Sequence, residues 1–154
     1  VREANVQIIA GDVRQMPFSK RFDRILVDAP CSGTGTLARN PDIKWRLKPE
    51  DLARLQGYQI EILTAAMKLV APGGSIVYST CSLEPEENQQ VAERVVSADS
   101  SFHVVDCREQ LRKLQQSGEL TWSDLDSLLA GPYLRTLPGV HPCDGFFAAI
   151  LQRE

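Results

Sequence analysis

The run Phe22-Asp23-Arg24-Ile25-Leu26-Val27-Asp28 breaks into Ala29-Pro30-Cys31-Ser32-Gly33-Thr34-Gly35, and that break decides the architecture. The apolar, β-branched residues up to Val27 predict a strand. The Gly- and Pro-rich segment after it cannot continue as regular structure. Asp28 and Cys31 therefore fall at the carboxyl end of a strand. Asp28 reads either as a turn-capping carboxylate or as an acid that serves a base or a ribose. Gly33-Thr34-Gly35 has the spacing of neither a P-loop nor a dinucleotide fingerprint.

Upstream, Val6-Gln7-Ile8-Ile9-Ala10 is a short apolar run that predicts a buried strand, turning at Gly11-Asp12. Downstream, Asn40-Pro41-Asp42 marks a turn, and a helix opens at Pro49 with Glu50 and Asp51 at its positive end. Leu52, Leu55, Ile62, Leu63, Ala66, Leu69 and Val70 share one face of it. Gly57 lies inside this helix, and Pro72-Gly73-Gly74 is read as its end. Residues 75–80 predict a third strand, which runs into Cys81-Ser82. An acidic helix start, Glu84-Pro85-Glu86-Glu87, leads a helix with Val91, Val95 and Val96 inward. Residues 102–105 and 145–151 predict two more strands, with helical pieces across 107–130. The alternation predicts an α/β fold with a largely parallel sheet and helices on its faces. Such sheets bind ligands outside the carboxyl ends of their strands. Asp12, the Asp28 to Cys31 segment, and Thr80-Cys81-Ser82 are accordingly expected along one edge.

The chain has 154 residues, 43% hydrophobic and 24% charged, which suits one globular domain. No apolar run is long enough to span a membrane. The net charge is −3, but residues 1–50 carry 9 basic and 6 acidic side chains, and the remainder 8 and 14. The excess gathers at Arg14, Lys20, Arg21, Arg24, Arg39, Lys44, Arg46 and Lys48, compatible with a polyanionic partner or a solvated surface. Cys31, Cys81, Cys107 and Cys143 form no CxxC pair, and His103 and His141 lie at no ligand spacing from them, so no metal site is expected. A lone Cys at a strand end reads as a small buried side chain. Two in one crevice read as reactive thiols, whose pKa a neighbouring helix start would lower and close acids would raise.

Asp28 to Gly35 followed by Pro41-Asp42-Ile43-Lys44-Trp45 resembles the substrate-site motif of the Sun/Fmu-type RNA 5-methylcytosine methyltransferases. Tyr78-Ser79-Thr80-Cys81-Ser82 with Pro85-Glu86-Glu87-Asn88 resembles their second cysteine motif. Leu137-Pro138-Gly139 and Asp144-Gly145-Phe146-Phe147 resemble their C-terminal motif. The resemblance implies a Rossmann-like, S-adenosylmethionine-dependent methyltransferase fold. It implies methyl transfer to carbon 5 of a cytosine in RNA, with bacterial 16S rRNA and a cytoplasmic setting as the closest match. Alternatives are transfer RNA as substrate, a DNA cytosine methyltransferase with Cys31 as nucleophile, and an inactive nucleic-acid-binding remnant.

By the same resemblance, Cys81 matches the nucleophile that adds to carbon 6. Cys31 matches the cysteine that assists product release. Asp28 matches the acid beside the target base and the methyl donor, and Asp12 the acid on the cofactor's adenine side. Pro30, Arg39 and Lys44 are substrate-binding candidates. The target base is expected unpaired or extruded. Both sulfurs must reach one ring, so they should lie within about 10 Å of each other. The family's Ala-Pro-Gly-Gly-Lys loop has no match here. The chain therefore reads as an N-terminally truncated catalytic domain over 1–154. Its cofactor loop and any N-terminal RNA-binding domain are expected upstream. Weak or absent cofactor binding is expected from these residues alone.

Overall fold

The computed structural model describes residues 6–154. In chain order the elements are β1 (Phe22–Asp28), α1 (Ile43–Arg46), α2 (Pro49–Met67), β2 (Val70–Thr80), α3 (Gln89–Ala98), β3 (Phe102–Val105), α4 (Cys107–Gln116), β4 (Leu129–Ala130), β5 (Tyr133–Thr136) and β6 (Phe146–Arg153). Short 3-10 turns cover Val13–Gln15, Thr34–Thr36, Pro85–Glu87 and Leu125–Leu128.

The α/β class stands, but the sheet is not largely parallel. β1 and β2 run parallel, from Arg24 opposite Ser75 to Asp28 opposite Ser79. β6 then pairs antiparallel with β2. On its far side β6 pairs antiparallel with both β3 and β5, which lie end to end along it. β1, β2 and β3 therefore share one direction, and β6 is inserted against it between β2 and β3. A β-run carries no mark of its own direction, so alternation with helices predicts parallel pairs wherever a late strand does not intervene.

Two further expectations are corrected. Residues 6–10 form no strand, and Ile8 is 96% exposed. An apolar run becomes a strand only against a pairing neighbour, and β1 has only β2 among the described residues. The α2 helix ends at Met67, so Pro72-Gly73-Gly74 does not terminate it. These three residues form an irregularity inside β2, where the register against β1 slips between Phe22 and Arg24. Gly73 there has φ +72°, a conformation that favours glycine.

One face of the sheet holds the core. Ile76 opposite Leu151, Tyr78 opposite Ala149 and Thr80 opposite Phe147 are all buried on that face. Ile62, Leu63, Ala66 and Met67 of α2, with Val91, Ala92 and Val95 of α3, pack over it. Pro49 occupies the first turn of α2, and Asp51 accepts the Lys48 backbone N–H at 3.1 Å. That placement satisfies an otherwise orphaned donor at the helix start. α2 thus crosses from β1 back to β2 and leaves both strands' carboxyl ends on one edge. Within residues 107–130, α4 and the Leu125–Leu128 turn are the helical pieces. The β4–β5 hairpin that follows them was not expected.

Candidate active site

The carboxyl ends of β1 and β2 open into two loops, each carrying one cysteine. The Cys31 and Cys81 sulfurs lie 3.3 Å apart, well inside the reach required for two groups acting on one ring. Both residues are half-buried free thiols. Burial, and next the hydrogen bond and charge of Cys81, push the Cys31 thiol up to about 12. Cys31 therefore keeps its proton well into the alkaline range.

The loops approach closely because of glycine. Gly35 N–H donates to the Cys81 carbonyl at 2.9 Å, and Gly145 N–H donates to the Gly35 carbonyl at 2.9 Å. A Cβ on Gly35 would sit 2.7 Å from the Cys81 carbonyl oxygen, so no other residue fits without displacing backbone. The three segments that carried the resemblance, around Cys31, Cys81 and Gly145, thus meet at one glycine.

The loops also share a buried polar cluster to which the sequence assigned no role. Glu87 is fully buried, and its carboxylate accepts four hydrogen bonds. Ser32 N–H and Gln59 Nε2 donate to Oε1, each at 2.9 Å. Ser32 Oγ and Ser82 Oγ donate to Oε2, the latter at 2.6 Å. Asn88 takes the Thr80 hydroxyl at 2.6 Å and donates to the Ser82 carbonyl at 2.9 Å. Gln59 also donates to the Pro30 carbonyl at 2.9 Å, which leaves its buried Oε1 without a protein partner. An unmet buried acceptor costs about 1–3 kcal/mol, so this cluster favours placement over stability. The sequence showed Glu87 as one of three acids at a helix start and as part of the second cysteine motif, with no role of its own. Its donors come from positions near 32, 59 and 82, and no local pattern links them.

Asp28 is exposed at the end of β1, and Ser79 Oγ donates to it at 3.2 Å. Asp28 and Pro30 line a cavity of about 610 Å³ whose remaining wall is mainly apolar, including Ile25, Val27, Tyr58 and Ile62. Asp12 is not among its lining residues and caps a short 3-10 turn instead of ending a strand. Its carboxylate pairs with Arg14 at 2.7 Å, which holds it down to about 2, and Arg14 reaches Glu61 at 2.8 Å. Arg39 is paired with Asp144. Lys44, on α1, lies over the Trp45 ring at 5.4 Å. The structure therefore brings Cys31 and Cys81 together, places Asp28 and Pro30 on a cavity whose lining includes neither cysteine, and puts Asp12, Arg39 and Lys44 in other contacts. Among the described residues no cluster of His, Cys, Asp and Glu could hold a metal ion. No helix among the described residues is long and apolar enough to cross a membrane.

The sheet carries paired thiols and an acid at its carboxyl edge, the placement that the Sun/Fmu-type methyltransferase resemblance implied. The profile of the family described as 16S rRNA methyltransferase RsmB/F matches residues 1–152, and the chain belongs to that family. It is 39% identical over 155 residues to ribosomal RNA small subunit methyltransferase B of Vibrio cholerae, covering 99% of this chain and 31% of that protein. It is 38% identical to the probable ribosomal RNA small subunit methyltransferase B of Synechocystis, covering 97% of this chain and 32% of that protein. The chain thus spans about a third of the length of these curated relatives. Among solved structures, a methyltransferase homolog protein from Pyrococcus horikoshii superposes with TM-score 0.63 at 28% identity, covering 88% of this chain and 40% of that one. NSun6 from Pyrococcus horikoshii, solved with SFG, shares the fold with TM-score 0.74 at 24% identity, over 97% of this chain and 35% of that one.

Proposed function

We propose that the full-length protein methylates carbon 5 of a cytosine in RNA, with 16S rRNA as the substrate, through a covalent adduct on Cys81. The observation that carries this reading is the 3.3 Å approach of the Cys31 and Cys81 sulfurs at the carboxyl ends of β1 and β2. Carbon 5 of cytosine is a weak nucleophile. A thiolate adding to carbon 6 breaks the ring's 5,6 double bond and makes carbon 5 electron-rich. S-adenosylmethionine, when bound, supplies a methyl group on a sulfonium, which leaves as a neutral thioether. The cavity beside Asp28 and Pro30 fits an aromatic ligand with a polar edge, so Asp28, Pro30 and the apolar wall are the residues that would hold it.

The remaining steps belong to the two cysteines. Cys31 S–H stabilises the Cys81 thiolate until Cys81 attacks. Once Cys81 is a thioether its charge is gone, which removes the second and third causes holding Cys31 protonated. Cys31 can then release its proton to solvent, and its thiolate takes the carbon 5 proton. As that proton leaves, the carbon 6 to sulfur bond breaks and its electron pair returns to Cys81.

The test uses full-length protein with S-adenosylmethionine and 16S rRNA transcripts. Cys31→Ala is expected to accumulate a denaturant-stable RNA–protein adduct on gels. Cys81→Ala is expected to lose both adduct and methylation. An adduct that persists in Cys81→Ala would move the nucleophile to Cys31, as in the DNA enzyme reading.

A further inference from the structure

We propose that Glu87 is a positioning residue whose buried carboxylate clamps the Cys31 loop to the Cys81 loop and so sets the distance between the two sulfurs. The role in catalysis rests on the two-cysteine reading above. The clamp itself rests on geometry alone.

Each cysteine is one residue away from a group that Glu87 holds. Ser32 offers both its N–H and its hydroxyl, so Glu87 fixes the peptide unit that joins Cys31 to Ser32. Ser82 offers its hydroxyl at 2.6 Å, and the two serine hydroxyls also lie 3.1 Å from each other. Asn88, the next residue, grips the Cys81 loop through Thr80 and Ser82. One segment thus anchors the Cys81 loop through Asn88 and ties the Cys31 loop to it through Glu87. Tyr78 O–H donates to the Glu87 carbonyl at 2.6 Å and fixes the segment against the centre of β2. Gln59 donates to both Glu87 and the Pro30 carbonyl, and so joins α2 to the same clamp.

The Glu87 carboxylate divides its two oxygens between two kinds of donor. Oε1 takes two N–H donors that cannot reverse, whereas Oε2 takes two hydroxyls that can. Gln at 87 keeps the shape, accepts the N–H donors through its one oxygen and turns its amide toward hydroxyls able to accept. Ala removes all four bonds. The loops stay tied through Gly35 N–H to the Cys81 carbonyl, so the Ala variant loosens the sulfurs without separating the strands.

The experiment reads sulfur proximity directly, in full-length protein. The Cys31–Cys81 dithiol is equilibrated with reduced and oxidised glutathione, and the linked peptide is measured by mass spectrometry. In this exchange the two thiols lose two electrons and two protons to glutathione disulfide, giving the protein disulfide and two glutathione thiols. Glu87→Ala is expected to lower the equilibrium constant for linkage by about tenfold to a hundredfold, the scale set by a displacement near 1 Å. Glu87→Gln should fall between Ala and wild type. The kcat for methylation should fall in the same order, with KM for S-adenosylmethionine unchanged.

Val95→Ala, a core truncation further along α3, is the control for lost stability. Unaltered linkage in Glu87→Ala overturns the proposal. So does an equal loss of linkage in Val95→Ala at matched Tm. If wild type methylates no RNA, the two-cysteine reading fails, and the glutathione equilibrium still decides whether Glu87 is the clamp.

Discussion

Cys31 and Cys81 share one proton more easily than they share two negative charges. Burial is the first cause that lifts Cys31 to about 12 from an ordinary 9.0, and Cys81 supplies the next two. The native state thus holds a proton on Cys31 that the unfolded chain releases near pH 9. The stability linked to it is fully present below the unfolded value and is lost as pH rises through the folded one. Replacing Cys81 by Ala removes the second and third causes but leaves burial. The midpoint for Cys31 alkylation by iodoacetamide is then expected to fall toward, but stay above, its ordinary value. Peptide mass spectrometry across alkaline pH measures it. A midpoint that stays put or rises would show that Cys81 does not share the Cys31 proton. Tyr78 is lifted first by burial and then by Glu87, so alkaline loss of stability is expected from the same cluster.

At the scale of elements, α2 offers the most local test. Gly57 is exposed inside it, and a Cβ built there meets nothing within 4 Å. Gly57→Ala is expected to stabilise the chain by about 0.5–1 kcal/mol, because Ala loses less backbone entropy and gains no clash. A urea titration should show a higher midpoint with an unchanged slope. This helix was legible in sequence because its start chemistry and apolar face are local. β1 and the carboxyl end of β2 were legible for the same reason, and so were the two cysteines at their ends. The antiparallel setting of β6 was not, because it depends on which neighbours reach it. Nor was the burial of Glu87, a residue that reads as an acidic helix start until Ser32 and Gln59 arrive from elsewhere. Pro72-Gly73-Gly74 misled in another way. Gly and Pro report that regular structure breaks, but not whether a helix stops or a strand bulges.

At the scale of the molecule, the sheet has one covered face and one open side. Leu26 pairs with Val77, Val77 with Ile150, and Ile150 with Val105, forming an apolar row across the face opposite the core. Leu26, at the β1 end of that row, is 69% exposed. β1 is also an edge, with one neighbour among the described residues. An unpaired strand edge beside exposed apolar side chains is a template for association. Residues 1–154 alone are therefore expected to self-associate as concentration rises, which sedimentation velocity measures. Leu26→Lys places a charge on the row and gives the edge a gatekeeper. It should move the onset of association to higher concentration while the far-ultraviolet spectrum stays unchanged, since Leu26 adds nothing to the covered core. The cavity beside Asp28 takes part of its wall from Phe22, Ile25 and Val27 of this same strand. Weak S-adenosylmethionine binding in calorimetry is expected to accompany association in the isolated chain, because one strand limits both. A monomer at every concentration that bound the cofactor tightly would show that β1 needs no further neighbour.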